Sequence, residues 1–124
     1  MENYKVEIKE SSKELSARER ISLKDTTNAI KLDEALAEGN VIITPVGYAI
    51  LGIHNEKAED KEYENYIIVD KSGTKYVTGS SSFWSSFIEI YEEMKDENEE
   101  YSIIAYRVES KNYKGKYFLT CSIQ

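Results

Sequence analysis

One amphipathic helix, preceded by a tight turn and a short strand, constrains this chain of 124 residues more than any other feature. The stretch from Asp70 to Met94 reads DKSGTKYVTGSSSFWSSFIEIYEEM. Its apolar residues recur at helical spacing: Phe83, Phe87, Ile90 and Met94. Serines and glutamates occupy the opposite side, so the pattern predicts a helix with one face on a core and one in solvent.

Both ends of this helix carry sequence signals. Ser80, Ser81 and Ser82 are candidate N-caps, because a serine hydroxyl accepts hydrogen bonds from the open amides of the first turn. Lys95 precedes an acidic run at residues 96–100, whose charges oppose the helix dipole. We therefore expect the helix to end near Lys95.

Strand patterns flank the helix. The turn at Asp70–Gly73 separates residues 64–70 from 74–78 and predicts an antiparallel hairpin, because glycine supplies the positive φ of a tight turn. Residues 101–109 and 116–123 predict a last hairpin around the turn 110–115. In this hairpin the pattern puts Ile104, Tyr106 and Val108 on one face of the first strand, and Ile103, Ala105 and Arg107 on the other. It puts Tyr117, Leu119, Cys121 and Ile123 on one face of the second, and Lys116, Phe118, Thr120 and Ser122 on the other.

The first half of the chain is less regular. Residues 1–20 alternate charges and contain few apolar side chains, so they predict an extended or partly ordered arm, with a short strand at Val6 and Ile8. Such an arm either docks on a neighbouring subunit or is simply mobile. A short helix is expected at residues 33–38, with Asp33 as its cap and Gly39 at its end.

Strand formers fill residues 41–53, where Pro45 and Gly47 predict either one sharply bent strand or two shorter ones. A helix between the third and fourth of five strands is the element order of the OB barrel. We therefore predict an all-β fold, a five-stranded OB barrel with the amphipathic helix between strands 3 and 4. An N-terminal arm at residues 1–24 precedes the domain at residues 25–124, which also carries the short N-terminal helix.

Composition excludes several classes of protein. One cysteine, Cys121, forms neither an internal disulfide nor a zinc site, and a small core residue is expected there. With His54 as the single histidine and no G-x-x-x-x-G-K-[ST] loop, we expect no enzyme, no metal and no cofactor. No apolar run is long enough to span a bilayer, and no signal segment opens the chain, so a cytoplasmic protein is expected.

Charge is distributed unevenly over the chain. Its net charge is −7, yet residues 80–100 carry seven carboxylates and one lysine, while residues 101–124 carry four cations and one carboxylate. The local field, rather than the total charge, governs contact with phosphates. Net charge alone therefore does not exclude a nucleic-acid partner.

Cations interleaved with aromatic residues form the candidate binding site. Single-stranded nucleic acid is held by cations along its phosphates and by rings on which its bases stack. Lysines on a hairpin are equally typical of edge strands protected against aggregation. The candidates in the last hairpin are Arg107, Lys111, Tyr113, Lys114, Lys116 and Phe118, and those on earlier strands are Tyr48, Tyr66, Lys75 and Tyr76.

The C-terminal half resembles the small OB-fold single-stranded-DNA-binding proteins encoded by phages and some conjugative plasmids. The resemblance lies in the layout strand–DKSGTKYVTGSSSF–helix–strand–ESKNYKGKYFLTCSI and extends loosely back to KLDEALAEGN. It does not cover residues 1–24. It implies cooperative, non-specific coating and protection of single-stranded DNA during replication or transfer. The flexible acidic tail of the bacterial relatives has no counterpart before Gln124, which weakens the expectation of tail-based recruitment.

Two functions from different classes follow. The first is non-sequence-specific binding of single-stranded DNA, with RNA left open and self-association through residues 1–20; a phage-encoded protein would act in the host cytoplasm. The second is an acidic DNA mimic or adaptor that binds and inhibits a host or nucleic-acid-processing protein. The observation that suggests this second function is the acidic stretch at residues 80–100.

Overall fold

A computed structural model describes residues 4–57 and 61–124, except for the side chain of Tyr4. Part of the predicted arm, residues 1–3, lies outside the described residues. Of the residues that the structure describes, 43% lie in strands and 25% in helices, so the fold is mostly β. The elements are β1 (Tyr4–Ser11), α1 (Ala17–Lys24), β2 (Ile30–Lys31), α2 (Leu32–Glu38), β3 (Val41–Ile43), β4 (Pro45–Asn55), β5 (Glu62–Asp70), β6 (Lys75–Thr78), α3 (Ser81–Met94), β7 (Ile103–Glu109) and β8 (Tyr117–Ile123).

These strands form two open sheets, a five-stranded sheet in the order β1-β4-β5-β6-β2 and a three-stranded sheet in the order β3-β7-β8. The chain divides into two compact units. The described residues of 1–30 and 46–79 form the first unit, and residues 31–45 and 80–124 form the second. No helix among the described residues is long and apolar enough to cross a membrane.

The first unit has its core on one face of the five-stranded sheet. Alternate residues of β4 (Ala49, Leu51 and Ile53) are almost completely buried, as expected for a strand with one face on a core. The core also contains Leu23 of α1, Ile67 of β5 and Val77 of β6. The predicted hairpin is confirmed, since β5 and β6 pair antiparallel from Tyr66↔Thr78 to Val69↔Lys75.

The N-terminal region differs from an extended or partly ordered arm. Strand β1 is longer than the predicted short strand and pairs antiparallel with β4. Helix α1 was not predicted, because its apolar residues do not share one face. Leu23 is buried, whereas Ile21 is 69% exposed. Its sequence signal is a capping box, in which the Ser16 hydroxyl accepts from the Glu19 amide and the Glu19 carboxylate accepts from the Ser16 amide.

Between residues 31 and 55 the structure has one helix, α2, and two strands, β3 and β4. Helix α2 and its end at Gly39 are confirmed, but Asp33 is not its cap: Lys31 occupies that position, and Asp33 lies in the first turn. There its carboxylate still favours the helix dipole. Of the two interpretations of residues 41–53, two strands are observed, and β3 and β4 belong to different sheets.

Helix α3 has the predicted bounds. The Ser80 hydroxyl accepts from the Phe83 amide, 3.2 Å away, and Lys95 is the C-terminal cap. Strand β8 is an edge of its sheet, and α3 places two serine hydroxyls against it. Ser82 Oγ donates to the Leu119 carbonyl at 2.8 Å, and Ser86 Oγ lies 2.8 Å from Thr120 Oγ1. Ser82 thus satisfies a backbone carbonyl on a strand edge that would otherwise be open to another chain, and Ser86 adds a side-chain contact beside it.

Replacing Ser82 and Ser86 together with alanine should lower the free energy of unfolding, because both hydroxyl contacts to β8 are lost. Each hydrogen bond contributes about 1 kcal/mol. The matched control is Ser85→Ala on the exposed side of the helix, which shares the gain in helix propensity. Urea unfolding measures the free energy of unfolding of both variants. An equal change per replaced serine in the double variant and in Ser85→Ala would contradict the role of the two hydroxyls.

Candidate nucleic-acid interface

The hairpin formed by β7 and β8 is paired without a register shift from Ile103↔Ile123 to Glu109↔Tyr117. Beyond the last pair, the Ser110 amide donates to the Lys116 carbonyl at 2.8 Å, and the turn passes through Gly115 with φ 80°. The turn end of this hairpin, residues 107–118, is called the basic hairpin. Its side chains project from strands that also contain buried residues, Ile103 and Ala105 in β7 and Leu119 and Cys121 in β8.

Three aromatic rings of the basic hairpin are open to solvent. Tyr113 is 63% exposed, Tyr117 48% and Phe118 44%. Large rings are normally buried because each contributes substantial apolar area to a core. A group of exposed rings on one hairpin is therefore typical of a contact surface.

Cations lie directly over two of these rings. The Arg107 guanidinium carbon is 4.2 Å from the centre of the Tyr117 ring, and Lys116 Nζ is 5.5 Å from the centre of the Tyr113 ring. Such contacts are cation–π interactions, which hold the charged group and the ring in a fixed arrangement. Tyr117 was missed as a site residue because it shares a face with Leu119 and Cys121, which are buried. Its position beside the turn is the sequence signal that distinguishes Tyr117 from the buried Leu119 and Cys121.

The remaining charges of the basic hairpin are also on its surface. Lys111 and Lys114 are exposed at the turn. Glu109 is the single carboxylate of residues 101–124, and its Oε2 accepts a hydrogen bond from the Gly115 amide at 3.3 Å. The cluster therefore keeps a local charge of +3 in a chain that is acidic overall.

The four predicted residues on earlier strands belong to the first unit and are less accessible. The Tyr48 ring is 8% exposed, and its hydroxyl donates to Glu10 Oε2 at 2.9 Å. Lys75 Nζ donates to the backbone carbonyls of Ser22 and Asp25, at 2.6 and 3.1 Å, at the end of α1. In this arrangement Tyr48 offers no open ring face, and Lys75 stabilises the helix terminus.

Tyr66 and Tyr76 share one face of the β5–β6 pair and are half-buried. Burial is the main cause that raises the pKa of both phenols, followed by the charge of Glu64 for Tyr66 and of Asp70 for Tyr76. Both therefore stay neutral at physiological pH. Six of the ten predicted residues are brought together in the basic hairpin: Arg107, Lys111, Tyr113, Lys114, Lys116 and Phe118.

The remaining side chains that could carry chemistry are the Cys121 thiol and those that could ligate a metal. Cys121 is buried, as predicted, and burial raises the pKa of its thiol to about 12. The thiolate that nucleophilic chemistry needs is therefore absent at neutral pH. Across residues 4–57 and 61–124, no group of three or more His, Cys, Asp or Glu side chains is placed to hold a metal ion.

No family model matches the chain, and neither a curated protein nor a solved structure matches it significantly.

His54 is held between two carboxylates at the ends of β4 and β5. Its Nδ1 lies 2.5 Å from Glu62 Oε1, and its Nε2 lies 2.7 Å from Glu56 Oε1. Ionised carboxylates only accept hydrogen bonds, so both ring nitrogens donate only when the imidazole is protonated. The hydrogen bond to Glu62, then that to Glu56, raises the pKa of His54.

The stability contributed by His54 should depend on pH. Because its pKa is higher in the folded state, this contribution is complete below the unfolded value of 6.5 and is lost as pH rises through the folded value. Unfolding by urea between roughly pH 5 and pH 8 should show stability falling at the alkaline end. His54→Gln should flatten this slope, and an unchanged slope in the variant would contradict the paired-carboxylate geometry.

Proposed function

We propose that this protein binds and protects single-stranded DNA without sequence specificity, through the basic hairpin. The observation that carries the proposal is the pairing of cations with exposed rings, Arg107 with Tyr117 and Lys116 with Tyr113. Ring faces suit unpaired bases, and lysines suit the phosphates between them. The small phage and conjugative-plasmid proteins named above are the class that this proposal favours.

A single strand fits this surface better than a duplex. Bases inside a duplex present only their edges, whereas an unpaired base presents a ring face that stacks on tyrosine or phenylalanine. Arg107, the one guanidinium of the basic hairpin, lies over the Tyr117 ring, so it is not placed as a bidentate reader of base edges. Binding should therefore tolerate any sequence. RNA offers the same ring faces and phosphates, and the choice between DNA and RNA is a matter for competition experiments.

The proposed fold is an OB-type arrangement of the strands. Its support is the element order β4-β5-β6-α3-β7-β8, in which α3 stands between the third and fourth strands. Further support comes from β3 and β4, which follow one another in the chain but pair in different sheets. In the proposed barrel these two separate strands would together take the place of a single first strand that contributes to both halves.

A second candidate function is an acidic DNA mimic. The observation that favours it is the exposed carboxylate row of α3, namely Glu89, Glu92 and Glu93. One of these, Glu92, is paired with Lys95 at 2.6 Å. The row would occupy the phosphate-binding surface of another protein.

Removing the lysines of the turn should weaken DNA binding and reduce its salt dependence. With Lys111, Lys114 and Lys116 changed to glutamine, the slope of log affinity against log salt should fall by about 2, since single strands give about 0.7 per phosphate. A gel shift or fluorescence titration with unstructured oligonucleotide at roughly 50 and 200 mM salt measures this. The control removes the same charge elsewhere, from exposed Arg18, Lys24 and Lys57. If both triple variants lose affinity equally, the hairpin has no special role.

Removing the rings should weaken binding with little change in salt dependence. Phe118→Ala and Tyr113→Ala should each cost roughly 1–3 kcal/mol, the usual contribution of one stacked base. The same titration measures the loss. Tyr48→Phe is the control, because it removes a hydroxyl that contacts Glu10 and keeps a buried ring. Full binding by both alanine variants would exclude stacking at the hairpin.

Neutralising α3 separates the two candidate functions. Changing Glu89, Glu92 and Glu93 to glutamine should leave single-strand affinity unchanged or slightly higher, because repulsion of phosphate decreases. A mimic would instead lose its inhibition of a nucleic-acid-processing protein. Loss of DNA binding in this variant, with unchanged folding by circular dichroism, would contradict the proposed function.

A further inference from the structure

One face of the three-stranded sheet carries a row of accessible apolar side chains. The pairing places Ile42 opposite Ile104 and Val108 opposite Phe118, with Tyr106 between them along β7. Ile42 is 53% exposed and Val108 36%, while Ile104 and Tyr106 are half-buried. The apolar row consists of Ile42, Ile104, Tyr106, Val108 and Phe118.

The row contains no charge and is continuous with the basic hairpin at Phe118, whereas Arg107 and Tyr117 lie on the opposite face of the two strands. Phe118 belongs to both, and the other paired positions on this face are Thr120 and Ser122. All three turn lysines lie beyond the Val108↔Phe118 end of the row. An uncharged apolar track that begins at a cluster of cations is complementary to a polyanion with apolar bases. The lysines at one end of the uncharged row therefore favour single-stranded nucleic acid as the molecule that occupies it.

We infer that a single strand held by the basic hairpin continues along the apolar row towards Ile42, with its bases against Phe118, Val108 and Tyr106. The inference rests on the proposed function and assigns the path of the strand. Alternate residues of a strand are about 6.8 Å apart, so the row from Val108 to Ile104 spans about 14 Å. That length has room for more than one base.

Oligonucleotide length distinguishes this path from contact at the turn alone. Ile42→Thr keeps a β-branched residue in β3 and removes apolar contact at the far end of the row. It should weaken binding of oligo(dT) of about 16 nucleotides roughly three- to tenfold and leave oligo(dT) of about 4 nucleotides unaffected. Val46→Thr is the matched control, because Val46 is a similarly exposed β-branched residue, 62% accessible, on β4.

Photo-cross-linking identifies the path directly. Oligonucleotides carrying 5-iodouracil should form cross-links to Tyr106 or Phe118 that mass spectrometry locates. Unchanged long-oligonucleotide binding by Ile42→Thr, or cross-links confined to Tyr113 and Tyr117, would overturn the inference and leave the proposed function standing. Light scattering that shows a dimer dissociated by Ile42→Thr would assign the row to a second copy and also overturn it. Absence of any binding by the unaltered protein at low salt would instead refute the proposed function itself.

Discussion

The unbroken pairing of β7 with β8 is the constraint on which the candidate interface depends. Side chains alternate between faces along a strand, so a slip of one residue would move every side chain to the opposite face. In the observed register the same two strands bury Ile103 and Ala105 at one end and expose Tyr117 and Phe118 at the other. The buried end fixes the position of the exposed end. A surface of rings and cations is thus held by a hairpin whose register the core has already determined.

Accessibility, rather than residue type, separates the aromatic residues of this chain. Ten tyrosines are too many to identify a binding site by composition. The ring of Tyr48 is enclosed and its hydroxyl is bonded to Glu10, whereas Tyr113 is mostly exposed. Removing a buried ring from its surroundings costs contacts that a bound base would have to replace. An exposed ring loses little on binding, which is why we propose the basic hairpin as the contact surface.

Local signals made much of the fold predictable from the sequence. Helix α3, the β5–β6 hairpin and the last hairpin each depend on residues close together in the chain, such as the caps Ser80 and Lys95. The division of the strands between two sheets depends on long-range pairings, including β1 with β4 and β3 with β7, which periodicity cannot reveal. Six residues of the candidate site follow from the alternation of cations and aromatic residues in the sequence: Arg107, Lys111, Tyr113, Lys114, Lys116 and Phe118. The site was not predictable at Tyr117, because exposure there depends on where the core ends.

Chemical-shift mapping of the isotope-labelled chain with an unstructured oligonucleotide tests the central claim most directly. Backbone amides of residues 107–118 should show the largest perturbations, followed by those of β3 and β7, at oligonucleotide concentrations that saturate the protein. Perturbations confined to residues 45–79, with those of the basic hairpin unchanged, would contradict the account.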